Sequence, residues 1–200
     1  MTIPGLTLKT LRHSCLRRSS CSSGHFGRQQ RQCVLKIWHH PYSSTTQNFE
    51  LRPYQNDCIQ ASLKDFTEGY NRIVVNLPTG YGKTVIFSHL ISRLPSSQGR
   101  KKVLVLAHRT ELLAQAQEKI EQHCPGLNVD IEAGNQRAHP VTSDVVLGSV
   151  ATLGRANSTR LSRFNPEEFK LIIVDEAHHS AANSYLRIID YFGAGRGQKK

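Results

Sequence analysis

Two short runs hold the residue types that could do chemistry. The first is Pro78-Thr79-Gly80-Tyr81-Gly82-Lys83-Thr84. Glycines at 80 and 82 let the backbone turn so that its amides face phosphate oxygens. Lys83 supplies a positive charge to the β- and γ-phosphates. Thr84 offers a hydroxyl to Mg2+ at a helix start, where the dipole favours anions. The general phosphate-loop pattern has another glycine five positions before the second one, and Leu77 stands there instead. The second run is Asp175-Glu176-Ala177-His178, directly after the apolar stretch Leu171–Val174. An Asp ending a buried strand can hold Mg2+, often through water, and the next Glu can orient and deprotonate the attacking water. An acidic pair opening a helix would suit its dipole as well. Paired with the phosphate loop, the catalytic reading of Asp175, Glu176 and Lys83 is the stronger one.

Elements are needed to hold these runs in place. Ile73–Leu77 and Val103–Ala107 are short apolar runs that read as buried strands, as do Val145–Gly148 and Lys170–Val174, with a shorter one at Val129–Ile131. Between them lie helical patterns. One opens at Arg52-Pro53-Tyr54-Gln55 and runs to about Thr67, ended by Gly69. Others cover Thr84–Arg93, closed by Pro95, and Thr110–Gln122, with Thr110 as N-cap; a last one covers Ala182–Tyr191. Near-continuous apolar strands separated by helices predict an α/β fold, a parallel sheet with helices on both faces. Ligands on such sheets bind at the carboxyl ends of strands, and both chemical runs directly follow strands.

The charge is uneven. The chain of 200 residues carries a formal charge of +11. Residues 1–49 hold seven basic side chains (Lys9, Arg12, Arg17, Arg18, Arg28, Arg31, Lys36) and no Asp or Glu. Residues 1–48 therefore read as a basic tail, Ser- and Arg-rich like a mitochondrial transit peptide. Leu8, Leu11 and Cys15 would lie on one face of a short helix. A disordered basic arm that binds nucleic acid or enters the nucleus is the other reading, and Trp38 is assigned to the tail. The domain itself, 49–192, is only mildly basic, and 193–200 reads as a flexible end. Five cysteines without a close Cys-x-x-Cys pair predict reduced thiols and no metal cluster. No stretch approaches the roughly 20 apolar residues of a membrane span. Tyr54 and Phe66 read as packing residues, and His108, His123 and His139 as surface or loop histidines.

In order along the chain, these runs resemble the first RecA-like lobe, the helicase ATP-binding lobe, of superfamily-two helicases of the DEAD/DEAH-box type. Leu51–Gln55 resembles the family's Q motif, which implies that Gln55 reads the adenine edge of ATP. Pro78, Thr79, Gly80, Tyr81, Gly82, Lys83 and Thr84 are similar to its nucleotide-binding loop, with Thr84 and Asp175 implied as Mg2+ ligands. Ala107–Gln115 and Gly148–Leu153 resemble its nucleic-acid motifs, which implies strand contacts by Arg109, Thr110, Ser149 and Thr152. A helix-start role for Arg109, or capping by Ser149 and Thr152, stays open. Asp175–His178 matches the DEAH motif, and the likeness gives His178 a coupling role. The His ending that motif, the Leu-Arg-Pro-Tyr-Gln start and the tail resemble mitochondrial DNA helicases and restriction-type translocases more than RNA-unwinding members.

The resemblance implies cofactors, ATP and Mg2+, and partners, DNA before RNA. It also implies a second RecA-like lobe supplying arginine fingers, expected in the full-length protein because no such motif follows Asp175 here. An arginine finger is worth roughly 10³–10⁵ in rate. The expectation is therefore a mitochondrial (matrix) enzyme of which this portion alone turns over little ATP, with nuclear or cytoplasmic placement as alternatives. A stand-alone nucleotide- and nucleic-acid-binding module without turnover is the competing reading.

Overall fold

A computed structural model describes residues 51–78, 80–96, 99–175 and 182–193, together with the backbone of two strands at 7–10 and 33–38. The strands are β1 (Thr7–Thr10), β2 (Cys33–Trp38), β3 (Arg72–Asn76), β4 (Lys102–Ala107), β5 (Val129–Glu132), β6 (Val145–Ser149) and β7 (Phe169–Asp175). The helices are α1 (Pro53–Thr67), α2 (Lys83–Arg93), α3 (Thr110–His123), α4 (Val150–Leu153) and α5 (Asn183–Tyr191). They build one sheet of order β1-β3-β2-β7-β4-β6-β5. Every pairing in it is parallel except that of β1 with β3.

Alternation along each strand divides the core in two. Val103, Val105, Val145, Leu147, Leu171 and Ile173 face α1, α2 and α3. Leu104, Leu106, Val146, Ile172 and Val174 face α4, α5 and the ring pair Phe164 and Phe169. Because both faces are covered, β4 and β6 are buried at every position, which is why they read as unbroken apolar runs.

Local chemistry sets the element ends. Pro53 opens α1, where its missing N–H costs nothing. The helix closes with Tyr70 N–H donating to Asp65 O (3.0 Å) and Gly69 N–H to Phe66 O (3.2 Å), and Gly69 sits at φ +91°. This is the paired closure that a left-handed glycine permits. α2 stops because Pro95 holds Leu94 in the extended region, φ −69° and ψ 121°,. Lys170 Nζ then donates to Ile91 O (3.2 Å) and Leu94 O (2.7 Å), placing a cation on the exposed carbonyls of that helix end. Burial of Lys170 lowers its pKa.

Three expectations are corrected. Thr110 is the first helical residue of α3, and Arg109 is the cap, without a side-chain cap bond; an apolar pattern does not resolve a boundary to one residue. Thr7–Thr10 is strand rather than the start of a helix. Trp38 belongs to β2, which lies in the sheet between β3 and β7. Val34, Ile37 and Trp38 are good strand formers, and the basic composition around them hid that run. Residues 11–15, where the rest of the amphipathic pattern falls, and 194–200 lie outside the described residues.

Candidate functional site

All the sequence candidates the structure describes stand at the carboxyl ends of β3, β4, β6 and β7 or in the first turn of α1. The glycine-rich loop leaves β3 and enters α2 at Lys83. Gly82 precedes that helix at φ +70°, in the left-handed region that suits glycine. Lys83 is buried, 6% exposed. Thr84 follows it on the first turn and lines a cavity of about 100 Å³ that Asp175 also lines, with Phe87, Ala107 and Leu113. Thr84 and Asp175, distant in sequence, thus share one small space. A hydroxyl and a carboxylate are hard oxygen donors, and they fit Mg2+, which takes one or two carboxylates, substrate phosphates and its own waters. Among the described residues there is no cluster of three or more His, Cys, Asp or Glu. Thr79, Glu176 and His178 lie outside the described residues.

Gln55 is held on α1 and leans over the loop. Its Oε1 accepts from Arg52 N–H (3.0 Å) and its Nε2 donates to Tyr81 O (3.2 Å). Tyr54 hydroxyl donates to the same carbonyl (3.2 Å), and the Tyr54 and Tyr81 rings lie 5.5 Å apart at 53°. The loop is therefore latched to α1 at one carbonyl by two side chains. Each end of the Gln55 amide keeps one further hydrogen-bonding site, so a purine edge could still be read. A β-carbon at Gly82 would fall 2.3 Å from Gln55 Nε2, so any larger residue there would push the Gln55 amide from its place as well as straining the backbone.

Arg109 and Thr110 are exposed at the start of α3. Ser149 ends β6 and precedes α4 without capping it through its side chain. Thr152 Oγ1 accepts from Gly134 N–H (3.1 Å), which ties it to the loop after β5. α4 packs closely on β6: a β-carbon at Gly148 would meet Leu153 Cδ1 at 2.4 Å.

Sequence reasoning missed a buried ionic group beside Thr152. Glu132 is fully buried and ends β5. Its oxygens accept from Arg160 (2.7 Å), Arg163 (3.1 Å) and Ala138 N–H (2.9 Å). An acid closing the β-strand run Val129–Glu132 is the available sequence signal, but its partners lie about thirty residues on. His123 ends α3 half-buried, whereas the other two histidines, His108 and His139, lie at the surface as expected. His139 Nδ1 accepts from the turn amides of Val141 and Thr142. Cys58 and Cys124 are buried and free, and burial pushes the Cys58 thiol up to about 11. Phe66 packs on the core. A larger cavity, about 410 Å³, opens at the amino ends of β4, β6 and β7 beside Cys124 and Lys170. None of the candidate residues borders it, so size does not select the site.

A parallel sheet covered on both faces, a glycine-rich loop leading from a strand into a helix, and an aspartate ending a second strand define a RecA-like lobe of the phosphate-loop class. Residues 48–196 match the family described as Type III restriction enzyme, res subunit, and the chain belongs to that family. Among curated relatives, it is 40% identical over 171 residues to a Schizosaccharomyces pombe protein named as a mitochondrial ATP-dependent helicase, irc3, covering 84% of this chain and 28% of that one. It is 44% identical over 155 residues to IRC3 of Saccharomyces cerevisiae, named as an ATP-dependent helicase, covering 75% and 22%. The chain thus spans under a third of the length of either relative. Among solved structures, the Sulfolobus solfataricus SWI2/SNF2 ATPase core in complex with dsDNA aligns over 73% of this chain and 36% of that one, at 15% identity and a TM-score of 0.47. Among the described residues no helix is long and apolar enough to cross a membrane.

Proposed function

We propose that this chain is the ATP-binding lobe of an ATP-dependent helicase or translocase that acts on DNA in mitochondria. The observation that carries the reading is the shared cavity of Thr84 and Asp175 beside the buried Lys83. Main-chain amides of Gly80–Thr84 cradle the phosphates, and Lys83 neutralises the β- and γ-oxygens. Thr84 and Asp175 would hold Mg2+, which when bound would supply Lewis-acid neutralisation of phosphate charge. Glu176 orients the attacking water and takes its proton, as the water's oxygen bonds to the γ-phosphorus and the bond to the β-phosphate breaks. ADP and phosphate leave. Gln55 reads adenine, and His178 couples the nucleotide to the nucleic-acid side. Arg109, Thr110, Ser149 and Thr152 contact the strand backbone.

DNA is favoured over RNA by the family description and by the His that ends the Asp-Glu-Ala-His motif. Mitochondrial placement is supported by residues 1–49, basic and without Asp or Glu, and by the name of the S. pombe relative. A second lobe would supply the arginine across the cleft, worth roughly 10³–10⁵ in rate and so roughly 4–7 kcal/mol of barrier.

Titration with Mg-ATP and a nucleic-acid-stimulated ATPase assay on single-stranded, duplex and branched DNA test this reading. The 200-residue chain should bind Mg-ATP, lose at least tenfold in affinity on Lys83→Ala, and turn over near background with every DNA. Absence of Mg-ATP binding would overturn the nucleotide assignment. Robust DNA-stimulated turnover that Lys83→Ala abolishes would overturn the need for a second lobe.

A further inference from the structure

The loop that follows β5 is clamped from inside and bare outside. Its carbonyls at Gly134 and Gln136 accept from Arg160 (2.6 and 3.0 Å), and that of Ala138 accepts from Arg163 (3.1 Å). Both guanidinium groups converge on buried Glu132. The Gly134 amide is taken by Thr152. With its inward polar groups satisfied, the loop has a fixed shape. Its outward side chains, Asn135, Gln136 and Arg137, are exposed.

Arg137 differs from Arg160 and Arg163. Its side chain makes no hydrogen bond or ion pair among the described residues, and the same holds for the side chains of exposed Arg109 and Arg155. Nearby acids are already engaged: Glu132 by the two arginines, Asp130 by Ser143 hydroxyl and His139 N–H. The sheet register puts Leu106, Gly148 and Glu132 in one row across β4, β6 and β5. Arg109, Arg155 and Arg137 each follow the carboxyl end of one of these three adjacent strands. Strands lie about 4.8 Å apart, so the row spans roughly 10 Å, about three nucleotides at 3.4 Å each.

We infer that Arg137 is a nucleic-acid contact, a guanidinium presented by the clamped loop to a backbone phosphate beyond Thr152. This rests on the functional reading above and extends its strand track by one β-strand toward the β5 edge. The ligand is the phosphodiester backbone, read without regard to base.

The test is the salt dependence of binding to fluorescein-labelled single-stranded 20-mers of DNA and RNA, for the whole chain and its variants. One phosphate contact contributes a slope of roughly 0.7–0.9 in log K against log salt. Arg137→Ala should lower the slope by about that amount and weaken binding about fivefold at 0.1 M salt, alike for every sequence, with Tm and Mg-ATP affinity unchanged. Arg137→Lys should keep the slope. Lys101→Ala, at the opposite end of β4, should leave it unchanged. If Arg109→Ala lowers the slope and Arg137→Ala does not, this inference fails and the proposed function stands. A loss confined to one base sequence also overturns it, since a phosphate contact weakens all sequences alike. If the parent chain shows no salt-dependent binding to either polymer, both readings fail.

Discussion

Gly82→Ala is the substitution whose cost can be worked most closely. Gly82 has φ +70° and ψ 40°, and an L side chain in the left-handed region costs about 1–2 kcal/mol. The new β-carbon would stand 2.3 Å from Gln55 Nε2. Gln55 can escape by swinging aside, because the clash is with the end of a flexible side chain. It then loses its bonds to Arg52 N–H and Tyr81 O, each worth about 0.5–1.5 kcal/mol. The total is roughly 2–5 kcal/mol. With a urea m-value of about 2 kcal/mol/M, the unfolding midpoint should fall by roughly 1–2.5 M. A double-mutant cycle separates the two causes. In a Gln55→Ala background only the backbone cost remains, so Gly82→Ala should cost roughly 1–2 kcal/mol there. Equal cost in both backgrounds would refute the close approach of Gln55 to Gly82.

Two further perturbations have defined outcomes. Glu132→Ala removes the carboxylate shared by two guanidinium groups and the Ala138 amide, leaving the guanidinium groups only the loop carbonyls. Breaking a buried pair costs roughly 3–5 kcal/mol, and the low end applies because the arginine side chains are 19% and 28% exposed. Tm should therefore fall by roughly 6–12 °C, and a fall of under about 2 °C would show the group contributes little. His89 has its pKa lowered by burial first, then by Arg93 and His123, and its buried Nε2 has no hydrogen-bond partner among the described residues. The fold thus favours neutral His89, and the unfolded chain takes up its proton first as pH falls through about 6.5. Stability should be highest above that pH and decline below it. His89→Leu should flatten that decline in denaturant melts taken from pH 7.5 to 5, and parallel curves for the two proteins would contradict it.

The elements that could be read from sequence were those with their own periodicity. β4, β6 and β7 are apolar because helices cover both faces, so no tertiary knowledge was needed to find them. α1 and α2 carried their punctuation in Pro53, Gly69 and Pro95. α4 was missed because four residues are too few for a helical pattern, and β2 because its short apolar run lies in a basic, serine-rich stretch. The candidate site could be picked out residue by residue, since Gly82, Lys83, Thr84 and Asp175 are types that phosphate and Mg2+ chemistry would call for. Its internal wiring was not. The latch of Tyr54 and Gln55 on Tyr81 O, and the closure of Arg160 and Arg163 on Glu132, depend on which loops the fold brings together.

β2 sits between the strand that delivers the glycine-rich loop and the strand that delivers Asp175, with five paired positions on each side. β3 and β7 therefore do not touch. The gap the site must span is a matter of strand widths, about 10 Å at 4.8 Å each. β2 acts as a shim: its presence sets the spacing between the strand that leads into the glycine-rich loop and the strand that ends at Asp175. It also precedes the family-matched region, which begins at residue 48. Processing that removed Cys33–Trp38 would take out the spacer and leave unpaired edges on β3 and β7. The site could then hold its dimensions only with another strand laid into the same slot.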